Sequence, residues 1–62
     1  MFEVARYEHP EIFITSRRTG ETYRFLVRDD RTVAYGGTTL EHREAWRAAV
    51  AHLTRIWRPY AA

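Results

Sequence analysis

The chain has no cysteine, no lysine, one serine and two prolines. The missing cysteine excludes disulfides and thiolate metal sites, and with them any sign of an oxidising compartment. Of the histidines, His9, His42 and His52, no two stand four apart on one helix face, so metal-ligand spacing is missing too. No cofactor is expected. No apolar run approaches the roughly 18 residues of a spanning helix. Met1-Phe2-Glu3-Val4 lacks the basic and apolar stretches of a signal peptide. A soluble, cytoplasmic protein with no membrane partner is therefore the expectation.

Enzymatic motifs are equally scarce. Gly36-Gly37 is an isolated pair and reads as a strand-to-helix turn that needs positive φ. Asp29-Asp30 reads as turn chemistry, because two adjacent turn carboxylates lack the apolar surroundings that shift a pKa. Ser16, the sole serine, has no activating His or Asp placed by the sequence. So short a chain also lacks volume for a pocket of enzyme size. A non-enzyme without a small-molecule substrate is expected.

What remains is one domain spanning residues 1–62, with a net charge of +2. Such a chain buries about 60% of its unfolded surface, and its core rarely supplies more than roughly 3–5 kcal/mol. With disulfides and metal excluded, self-association is the remaining way to add stability. All ten basic residues are arginine. Arginine suits phosphate and carboxylate recognition, but a high-GC genome also favours arginine codons, so the charge points only weakly to nucleic acid.

The apolar pattern predicts an α+β fold: an antiparallel meander of three to four strands, then one C-terminal amphipathic helix packed on one face. Phe2–Tyr7 alternates and is a candidate first strand, with Phe2 and Val4 on one side and Glu3, Ala5 and Tyr7 on the other; His9-Pro10 interrupts it. Glu11–Arg17 and Thr22–Arg28 are rich in β-branched and aromatic residues and read as strands. Gly20 fits a positive-φ turn between them. Thr32–Tyr35 is expected as a further strong strand, stopped by Gly36-Gly37. The helix is expected from near Thr38, with Thr38 and Glu41 as a capping box, to a stop before Pro59. At about 100° per residue, His42, Trp46, Ala49, Val50, Leu53, Ile56 and Trp57 share one arc, with His42 stacked on Trp46 at its rim. Trp46 and Trp57 read as core, although Trp57 and Tyr60 also suit a partner contact.

One helix covers one sheet face, so the other face is open to solvent, a second copy or a ligand. With Ile12, Ile14, Tyr23, Phe25 and Val27 inward, the open face carries Phe13, Arg17, Arg24, Leu26 and Arg28. Aromatics and arginine favour protein interfaces, and also sheet readers of nucleic acid. On the helix, Arg43 and Arg47 lie close in angle to Arg58, either as a solvated face or as phosphate contacts.

The run Tyr23-Arg-Phe-Leu-Val-Arg-Asp-Asp-Arg-Thr-Val-Ala-Tyr-Gly-Gly-Thr-Thr-Leu-Glu-His-Arg-Glu-Ala-Trp resembles the YegP-like family of short bacterial and archaeal domains. Those show a Tyr/Trp-Arg-Phe-x-Leu strand, an acidic turn, a Val/Ile-Val-Ala strand, a small-residue break and a Glu-Ala helix. The likeness runs from Tyr23 to about Leu53; the chain departs from the family in lacking lysine and in its long Glu11–Arg17 strand. A weaker similarity links the pattern to three-strand-plus-helix DNA binders of the plant ethylene-responsive and integrase arm-binding kinds, where Arg17, Arg24 and Arg28 would be the matching strand arginines. Both resemblances imply architecture more than activity. The leading expectation is a binding module that self-associates or docks on a partner protein through its open sheet face; the alternative is a small nucleic-acid binder using the strand arginines, with Arg43 and Arg47 assisting.

Overall fold

The computed structural model describes residues 1–61, with side chains through Trp57. Three strands, β1 (Phe2–Glu8), β2 (Glu11–Ser16) and β3 (Thr22–Leu26), form an antiparallel sheet in the order β1-β2-β3, followed by one helix, α1 (Leu40–Ala61). The α+β meander is as expected, and Phe2–Tyr7 does join the sheet. His9 and Pro10 make the turn between β1 and β2, joined by a cis peptide bond. Proline fits there because a turn asks no ladder hydrogen bond of its nitrogen. Gly20 closes the next turn at a φ of 81°.

The core lies between the sheet and α1. Ile12 and Ile14 of β2 are fully buried, Phe25 and Val27 nearly so, and they face Ala45, Ala49 and Leu53 of the helix. Two alanines at the centre of the contact let the helix lie close to the strands. Each fully buried isoleucine or leucine side chain contributes about 1.5–3 kcal/mol by leaving water.

Four expectations need correction. First, Thr32–Tyr35 is not a strand. It makes a single bridge, Val33 with Val27, flanked by hydrogen bonds from Arg28 N to Thr32 O and from Ala34 N to Leu26 O. The helix takes over beyond that point: Trp46 Nε1 donates to the Val33 carbonyl at 2.9 Å, and the Tyr35 ring leans on His42 and Trp46. Second, the helix cap is Thr39, whose Oγ1 accepts from His42 N at 3.1 Å. That one-residue shift removes Glu41 from a capping box with Thr38 and frees it for a tertiary contact. Third, α1 runs through Pro59 to Ala61; a proline in the last turns deletes only one i→i−4 bond. Fourth, the buried arc centres on Ala45, Ala49 and Leu53, while Ile56 is 39% exposed. The expectations for the Arg58 and Tyr60 side chains lie outside the described side chains.

Candidate functional site

The uncovered sheet face is built by strand register. On this face Glu3 stands beside Thr15 and Thr22, Arg6 beside Phe13 and Arg24, and Glu8 beside Glu11 and Leu26. Arg6 is there because of a β-bulge between Val4 and Arg6. The bulge inserts one residue, so the alternation changes phase. Tyr7 joins Phe2 and Val4 against the core rather than Glu3 and Ala5 outside. No residue type in β1 announces the bulge, and Arg6 was invisible as a face residue for that reason.

The charges on this face are matched pair by pair. Arg24 Nη1 lies 2.6 Å from Glu11 Oε2, Arg6 Nε lies 3.4 Å from Glu8 Oε1, and Arg17 Nε lies 3.5 Å from Glu3 Oε1. The Arg6 guanidinium also sits over the Phe13 ring, 4.7 Å from its centroid. Exposed pairs such as these add at most about 1 kcal/mol each, so their consequence is neutrality rather than stability. Three arginines oppose three glutamates, and the chain's net charge of +2 therefore resides elsewhere. Between the pairs stand Phe13, half-buried, and Leu26, 46% exposed.

The expected contact residues do not form one patch. Phe13, Arg17, Arg24 and Leu26 share the open face. Arg28 lies past the end of β3 and donates to Thr32 Oγ1 at 3.1 Å. Arg43 and Arg47 are on the exposed arc of α1. That helix packs on the opposite face of the sheet, so they cannot act with Arg24 on one surface.

A second cluster joins β2 to the start of α1. Ser16 is fully buried and its hydroxyl donates to Glu41 Oε2, while Arg18 Nη2 donates to Glu41 Oε1. The Ser16 hydroxyl and the Arg18 guanidinium hold the Glu41 carboxyl below the usual glutamate range. Ser16 also accepts from Thr19 N at 3.3 Å. The serine thus ties strand, turn and helix together. Beside it, His42 stacks on Tyr23 and Phe25, each with ring centroids 5.1 Å apart, and tilts against Tyr35 at 5.6 Å. Its partners are these rings rather than Trp46. Gly37 is correspondingly not a positive-φ residue; a Cβ there would fall 1.7 Å from His42 Nδ1. Its lack of a side chain makes room for the imidazole.

Asp30 is a turn residue, as expected: its Oδ1 accepts from the Thr32 hydroxyl at 2.6 Å and the Thr32 amide at 3.0 Å. Those bonds hold its carboxyl below the usual range. Among the described residues, no group of three or more His, Asp or Glu is placed to hold a metal ion, and no helix is long and apolar enough to cross a membrane.

Compared with family models, curated proteins and solved structures, the chain matches none.

Proposed function

We propose that the protein is a non-catalytic interaction module that works through its open sheet face, and that this face meets the same face of a second copy. One observation carries the reading: Phe13 and Leu26 stand on an uncovered sheet whose arginines and glutamates cancel in pairs. A neutral face does not repel its own copy, and it has no net field to attract a polyanion. Interleaved opposite charges also suit pairing about a two-fold axis, where each surface meets itself. The pairing of Arg17 with Glu3 and of Arg24 with Glu11, and the placement of Arg28, Arg43 and Arg47 off this face, weigh against the nucleic-acid alternative.

The size of the face sets the strength. Three strands of five to seven residues make a sheet of about 20 by 15 Å. Two such faces together bury less than the roughly 1,200 Å² of a standard stable interface. The association is therefore weak and concentration-dependent.

Sedimentation across a concentration series tests this. The expected mass rises toward twice the monomer in the high micromolar range. Leu26→Glu should hold the mass at monomer while circular dichroism and cooperative melting persist, since Leu26 is 46% exposed. A monomer up to about 1 mM, or a low-salt mobility shift with duplex DNA that Arg24→Glu abolishes, would overturn the proposal.

A further inference from the structure

The loop of Asp29, Asp30 and Arg31 returns the chain from β3 toward the helix, with Arg31 N bonded to Arg28 O at 2.9 Å. Arg31 is left-handed, at a φ of 72°. Glycine or asparagine normally occupies such a position, because a Cβ is disfavoured there. The arginine instead extends toward α1, where its guanidinium lies 5.4 Å from the Trp57 ring centroid. Between loop and helix is a groove of ≈ 230 Å³ walled by Trp46, Trp57, Val33 and Val50, with fully buried Leu53 at its floor.

Two properties define what this groove fits. Its walls are mostly apolar, and the hydrogen bond from Trp46 Nε1 to the Val33 carbonyl fixes one of them in place. Its rim carries one cation: among the described residues no carboxylate lines the groove, and neither Asp29 nor Asp30 of the same loop pairs with Arg31. The neighbouring Asp30 carboxylate is occupied by Thr32. The volume falls below the usual range for drug-sized ligands, about 300–1,000 Å³.

We infer that this groove binds a small apolar carboxylate of the arylalkanoate class, its ring against Trp46 and Trp57 and its carboxylate on Arg31. The charge complementarity selects an acid over a neutral or cationic analogue. Guanidinium recognises carboxylate in two-pronged fashion and stacks on aromatic faces, so one arginine serves both contacts. The site is separate from the open sheet face and does not depend on self-association.

The test uses 3-phenylpropionate on the full chain, with 3-phenylpropionamide and 3-phenylpropylamine as matched probes. The two indole N–H signals are followed by NMR. The expected result is saturable shifts at Trp46 and Trp57, with affinity on the order of millimolar for so small a ligand. The acid should bind roughly tenfold or more tightly than the amide, as one charge-assisted contact provides, and the amine least. Arg31→Gly supplies a clean variant, because glycine accepts the left-handed backbone and the fold is retained. It should erase the preference for acid over amide. Equal affinity for all three probes, shifts confined to residues outside the groove, no shift up to about 10 mM, or an unchanged preference in folded Arg31→Gly protein would each overturn the inference.

Discussion

Replacing Gly37 by alanine sets a methyl group against one side chain. The new Cβ would sit 1.7 Å from His42 Nδ1, 2.3 Å from Cγ and 2.5 Å from Cε1. Because Cγ is included, rotating the ring about the Cβ–Cγ bond does not relieve the clash; the imidazole must leave its place. It then loses two stacked contacts, on Tyr23 and Phe25, each worth about 0.5–1.5 kcal/mol beyond buried area. Gly37→Ala should thus cost roughly 1–3 kcal/mol. For a domain this small, that lowers Tm by on the order of 10 °C. His42→Ala should cost a similar amount, since it removes the same stacks. The double variant decides the cause. With the ring gone, the methyl group has room, and alanine restricts the unfolded chain by about 0.4–1 kcal/mol more than glycine does. Gly37→Ala in the His42→Ala background should be neutral or slightly stabilising. Urea and thermal unfolding followed by tryptophan fluorescence provide all four corners of the cycle. Costs that add within about 0.5 kcal/mol would show that Gly37 is required for some reason other than His42.

Two further substitutions test the core and the strand-to-helix tie. Ile14→Ala removes a fully buried side chain from the central strand and should cost about 2–5 kcal/mol, comparable to the roughly 3–5 kcal/mol such a core supplies; a cooperative melt near that of the wild type would contradict the packing described. Glu41 has its folded pKa lowered by Ser16 and Arg18, so the unfolded chain takes up the proton first as the solution is acidified. Its contribution is full above the ordinary value of 4.5 and fades as pH falls from there through the folded value. Glu41→Gln should therefore be less stable than the wild type at neutral pH, with the gap narrowing below that range, and melting curves at stepped pH would expose a gap independent of pH.

The elements that follow alternation and 3.6-residue periodicity were readable from the residues themselves. β2 and β3 are dense in Ile, Thr, Tyr and Phe, and Ile12, Ile14, Phe25 and Leu53 fall inside as their spacing requires. What escaped depends on contacts between distant residues. Thr32–Tyr35 has strand-like composition, but Trp46 and His42 engage it where a longer ladder would continue. Thr38 and Thr39 are equally good caps by type; the contact of Glu41 with Ser16 and Arg18 accompanies the choice of Thr39. The bulge near Ala5 reverses the phase of half a strand, so Tyr7 and Arg6 exchange the sides that alternation assigns.

The same logic changes what an arginine-only composition means. Counted in sequence, ten arginines suggest a cationic surface. In the fold, Arg6, Arg17 and Arg24 are answered by glutamates on the open face, and Arg18 by Glu41. Arg28, Arg31, Arg43, Arg47 and Arg55 make no ion pair among the described residues, and they lie at the β3 loop and along α1. Charge is thus sorted by surface: the sheet face is neutral, the loop balances Arg28 and Arg31 with Asp29 and Asp30, and the surplus cations lie along α1. Two copies joined sheet to sheet would bury the neutral faces and turn both helices outward. The unmatched charge would stay in water, where it keeps the pair soluble and is screened beyond about 8 Å at physiological ionic strength. An interface built on the helices instead would bring like charges together. In the proposed pairing, arginine at the sheet serves to neutralise a surface that then meets itself, and the cationic surplus is left to the helix.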